Sequence, residues 1–143
     1  MQKMKSGLMM VCLTVLLSCA ALMMNTPTAS AMTLQDLQGD YRIVAQGNRV
    51  LHSAGCIVSF KWENGELIGT ATKVTQKSGW KVGQIIMQDV YVDNGVVYCQ
   101  FTPDGSGYAD TMFNYKLQIF NNGKVLKVAD IDDNWVAHEL HRL

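Results

Sequence analysis

The sequence predicts an all-β fold, an antiparallel eight-stranded up-and-down barrel, preceded by a secretory signal peptide. Three observations carry this reading. Asn-Gly pairs recur at 64–65, 94–95 and 122–123, the segments beside them alternate apolar with polar residues, and a charge-free apolar run lies near the N-terminus. Asn-Gly suits type I′ turns because both central residues need positive φ. Alternation puts successive side chains on opposite faces of a strand.

At the N-terminus, Lys3 and Lys5 precede an uncharged run from Leu8 to Met24, followed by a small, polar stretch ending in Ala29-Ser30-Ala31. That is the layout of a secretory signal with an A-x-A cleavage site. Cleavage after Ala31 makes residues 1–31 the signal and 32–143 a single β domain. A second reading takes Leu16-Leu17-Ser18-Cys19 as a bacterial lipobox, with a lipoprotein signal at 1–18 and an acylated Cys19 as a lipid anchor. The apolar Ala20-Ala21-Leu22-Met23-Met24 that follows weighs against it, because a tether is normally polar. Either way the chain is expected outside the cytoplasm, in the periplasm, the cell envelope or the medium. No segment of the mature chain is apolar enough to span a bilayer as a helix.

The remaining 112 residues suffice for one domain with its own core. They carry ten Lys and Arg against twelve Asp and Glu, a net charge of −2, and so lack the basic footprint that nucleic acid requires.

The elements follow in order. Residues 33–39 give one helical turn closed by Gly39. Residues 40–46 form a strand with Tyr41, Ile43 and Ala45 inward. Three hairpins pair 56–62 with 66–74, 84–92 with 96–101, and 112–120 with 124–130, and residues 135–142 supply the last strand. Phe113, Tyr115, Leu117 and Ile119 alternate with Asn114, Lys116 and Gln118, the clearest half-buried strand. Both faces of 84–92 are partly apolar, so that strand has no readable orientation. Eight sequential strands protect their edges by closing into a barrel; an open two-sheet β-sandwich is the alternative. A closed barrel of this size holds packed side chains or one small ligand.

Chemistry is sparse. No nucleophile elbow, metalloprotease helix or phosphate loop occurs, so no enzyme activity and no cofactor are expected. His138 and His141 stand three apart on a strand and face opposite ways, and no metal site is expected. Cys56 and Cys99 form a candidate disulfide, provided their Cα atoms approach to about 4.4–6.8 Å; two buried thiols are the other reading. Trp80, in a polar loop between Lys77 and Lys81, is a candidate partner contact or folds back over a barrel mouth.

Leu37-Gln38-Gly39-Asp40-Tyr41 resembles the start of lipocalin-type (calycin) barrels, with tyrosine where that family has tryptophan. The closing segment from Trp135 to Arg142 is similar to the end of such barrels, where a basic residue packs across the first strand. The resemblance implies a small apolar or amphiphilic ligand inside the barrel, lined by Tyr41, Phe60, Phe113, Tyr115 and Leu117. Ser106-Gly107-Tyr108 resembles the Ser-Gly loop of small periplasmic lysozyme inhibitors, which implies a protein partner met by Ser106 and Tyr108. Two functions are therefore expected, an exported non-catalytic ligand carrier or a cell-envelope protein-interaction module. An unfilled interior would favour the first and a packed one the second.

Overall fold

The computed structural model describes residues 32–45, 51–104 and 107–143, so the signal segment and Ser106 lie outside the described residues. A 3-10 turn, η1 (Leu34–Leu37), precedes β1 (Gly39–Val44), β2 (Ile57–Glu63), β3 (Glu66–Lys73), β4 (Ile85–Asp93), β5 (Val96–Phe101), β6 (Phe113–Phe120), β7 (Val125–Ala129) and β8 (Val136–Arg142). All neighbours pair antiparallel, and β1 pairs with β8, closing the barrel in place of the open sandwich.

Local chemistry sets the first two hairpins. Asn64 and Gly65 have φ of 52° and 80°, Asn94 and Gly95 48° and 75°, and the flanking pairs are Glu63↔Glu66 and Asp93↔Val96. These are the two-residue, positive-φ turns expected. The third differs. Phe120 pairs with Val125, so the connection has four residues, and Asn121, Asn122 and Gly123 all take positive φ. Gly123 is buried, its carbonyl accepts the Tyr41 hydroxyl at 2.8 Å, and its backbone abuts Leu37. Packing beneath η1 thus sets this turn's length.

The hairpin turns and η1 lie at one end of the barrel. Arg142 closes it: the guanidinium donates to the carbonyls of Asp36 and Gln38 and sits 5.4 Å from the Tyr41 ring centroid. Ala45, expected inward, lies past the end of β1 and is exposed.

β4 could not be oriented from sequence because it carries two irregularities. Gly69 pairs with Met87 but Thr70 with Ile85, so Ile86 is an extra residue against β3. Gln88 pairs with Gln100 but Tyr91 with Tyr98, and Asp89 takes φ 50° in that bulge. An inserted residue switches the face presented by the residues after it. Ile86 and Met87 are consequently both fully buried.

Candidate functional site

The interior is built from the inward positions of every strand. Tyr41 and Phe60 are buried and meet edge to face at 5.2 Å. Phe60 lies opposite Gly69, so close that a Cβ there would stand 2.7 Å from Phe60 Cε1. Lower in the barrel Phe101 meets Trp80 at 5.9 Å, Tyr115 at 6.2 Å and His138 at 4.8 Å, and Leu117 is buried in the same core. Of the five expected lining residues, Tyr41, Phe60, Tyr115 and Leu117 face inward and pack in the core, and Tyr115 and Leu117 also border the depressions between β5 and β6 described below. Phe113 is the exception: it opposes Phe101 on the last rung of β6 but is 39% exposed and packs against Tyr108.

Two further expectations are corrected. Trp80 is no surface contact: it is 3% exposed and stacks on His138, taking the mouth-covering place at the end opposite η1. The polar loop around it bends inward because Gly79 N–H donates to the buried Asp104 carboxylate and Trp80 N–H to Ser78. Cys56 and Cys99 form no disulfide; both are buried free thiols. Cys56 precedes β2 while Cys99 is in β5, with β3 and β4 between them, and the Cys56 sulfur accepts the Thr75 N–H.

Burial pushes the Cys99 thiol up from its ordinary 9.0 to about 12. The folded state therefore keeps the proton at pH values where the unfolded chain releases it, so this contribution to stability is full below pH 9.0 and falls away as pH rises toward 12. Urea unfolding across that window should show Cys99→Ala losing less stability with pH than the parent; equal slopes would contradict the burial argument.

His138 is buried and His141 exposed, on opposite faces. Among the described residues no three His, Cys, Asp or Glu side chains come together as a metal would need. Tyr108 is 55% exposed, beside a small depression of 240 Å³ formed by His52, Lys77, Ser78, Gly79, Asp104, Gly107 and Ala109.

Larger depressions lie over β5 and β6 and reach between the two strands to residues that pack on the core, among them Val97, Leu117 and Ile119. The lower one, about 450 Å³, has Tyr98, Gln100 and Asn114 with the deeper Cys99 and Tyr115 on its floor, Asp89 and Tyr91 on the β4 side and Ile131 on the other. The middle one, about 420 Å³, runs between Val96 and Val97 on β5 and Lys116 to Ile119 on β6, with Asn134 at its side. The upper one, about 400 Å³, lies at the rim among Met32, Leu34 and Val92 and shares Gly95, Val97 and Ile119 with the middle one. Together they form a track down one side of the barrel.

The β7–β8 loop supplies its outer wall. Asp130 accepts the N–H groups of Asp132 and Asp133, which holds its carboxyl below the usual carboxylate range and fixes the loop. Lys116 donates to Asn134, tying that loop to β6. On the opposite side Tyr91 of the wall stacks on Tyr98 of the floor at 5.4 Å. Their pairing could have been read from the sequence, because a two-residue turn at 94–95 puts 91 across from 98. The loop's approach left no such signal.

The protein is thus a closed, eight-stranded antiparallel barrel with an aromatic core and a groove on its outer face. In comparisons with protein-family models, curated proteins and solved structures, the chain matched none.

Proposed function

We propose that this chain is a non-catalytic binding module that acts outside the cytoplasm and engages a protein partner through the outer β5–β6 groove. The observation that carries the reading is the contrast between the two faces. Inside, Tyr41 packs on Phe60 and Trp80 on Phe101. Outside, a track combines exposed apolar groups with amides and few charges. Interfaces favour such aromatic and apolar surface with a polar rim. A lipocalin-like carrier would need an apolar interior cavity of roughly 300 Å³ or more, and the inward aromatic side chains are committed to the core. An inhibitor of the lysozyme-inhibitor kind is one form the module can take.

The test is a photocrosslinking residue placed at Gln100 in the groove, or at Lys61 on the far side, in the protein expressed in its native host. Adducts of protein size are expected from position 100 and none from position 61. A small molecule co-purifying within the barrel, or equal adducts from both positions, would overturn the reading.

A further inference from the structure

We infer that the groove is a strand-acceptor site, taking an extended polypeptide segment that carries apolar residues together with lysine or arginine. This deepens the outer-groove reading and rests on it.

The backbone carries the argument. The β5–β6 ladder runs from Phe101↔Phe113 to Tyr98↔Lys116 and stops there. In the same register Val97 would oppose Leu117 and Val96 would oppose Gln118, yet these positions are separated by the middle depression. Both strands continue past the gap, β5 to Val96 and β6 to Phe120. Each is occupied on its other side, Val96 and Val97 by β4 and Lys116 to Phe120 by β7. The ladder-forming groups that remain on the two facing edges therefore point into the groove. Backbone N–H and C=O groups require partners, and a strand edge is a template for another chain.

Side chains define what the added segment carries. Val92 is 56% exposed and Val96 37%, so the groove is bordered by apolar surface. Asp89 lines the groove, Asp93 is paired with Val96, and Asp132 and Asp133 stand in the wall loop. Lys116 is the one cation among the groove's described lining residues, and Asn134 and Asp130 both act on it. Among the lining residues Asp89 and Lys116 balance, and the negative charge around the groove comes from its neighbours Asp93, Asp132 and Asp133, which suits a basic segment. A saccharide is the poorer fit, because Tyr91 and Tyr98 stack on each other, 26° apart, and do not lie side by side as a flat platform.

The probe is a peptide of about eight alternating valines and lysines, the length of an ordinary strand. Comparison peptides replace lysine by glutamate or methylate alternate backbone nitrogens, and a chitin oligosaccharide serves as the glycan arm. Binding to the protein produced from the full chain is measured by titration, and hydrogen exchange is followed at the amides of Val97, Leu117 and Ile119, which alternate with the residues bonded to β4 and β7 and so face the gap. The expected result is slowed exchange at those amides, with N-methylation weakening binding at least about tenfold, the loss of one or two net backbone hydrogen bonds. The glutamate peptide and the variant Asp89→Asn/Asp93→Asn should each bind several-fold more weakly. Indifference to N-methylation, preference for the glutamate peptide, or binding of the oligosaccharide alone would overturn the inference. If crosslinks still form at position 100 in that case, the outer-groove reading survives; if they do not, both fall.

Discussion

Phe101→Ala is expected to lower the unfolding free energy by about 3–5 kcal/mol, the range for removing a fully buried aromatic ring. Phe101 has no exposed surface and is bounded by Trp80, Tyr115 and His138, three groups held by different elements. A closed barrel resists collapse around the vacated space, because moving any wall strains ladders on both sides. The result should appear as a lower urea midpoint with little change in slope. Whole-domain stability is commonly about 5–15 kcal/mol, so Phe101→Leu, expected to cost about 1–2 kcal/mol, keeps the test readable if the alanine variant does not fold. Tyr98→Ala, on the outer face, serves as the contrast and should cost under about 1 kcal/mol. Equal losses at 98 and 101 would refute the placement of the core.

Gly69→Ala is expected to destabilise by about 1–3 kcal/mol through overpacking. In an ordinary strand the same change would help by about 0.5–1 kcal/mol, because alanine has less freedom to lose on folding. Here the added methyl would stand 2.7 Å from Phe60 Cε1 and 3.1 Å from Met87 Cβ, and both neighbours are fully buried. Phe60 and Gly69 are directly paired across β2 and β3, an aromatic ring covering a residue without a side chain. Phe60→Leu should relieve the clash, so the double variant loses less than the two single losses combined, with a coupling of about 1 kcal/mol. A stabilising Gly69→Ala, or strictly additive losses, would show that the ring does not occupy that space.

Much of the fold was legible because its signals are local. The pairs Asn64-Gly65 and Asn94-Gly95 specify turns whose φ values depend on two residues only, and β5 and β6 announce themselves by period-two alternation. The inward set Tyr41, Phe60 and Leu117 followed from the same alternation. Features decided by distant partners did not show. Trp80 lies between polar residues in the chain, but Phe101 and His138 from other strands make a place for it inside. The pair Cys56 and Cys99 invited a bridge, but the two thiols lie free and buried, one just before β2 and the other in β5, strands that are not neighbours. The outer groove was missed because it needs the early end of the β5–β6 ladder and the approach of Ile131 and Asn134 from the β7–β8 loop.

The amino-acid order by itself determined that the chain forms eight antiparallel strands around one apolar interior, since turn preference and side-chain alternation act over a few residues at a time. Tertiary structure alone decided that the interior is occupied by its own aromatic rings, that β4 bulges at Ile86 and Asp89, and that the ladder between β5 and β6 parts above Tyr98. Those outcomes depend on how bulky groups from separate strands share a fixed volume once the barrel closes, a competition no short window of sequence contains.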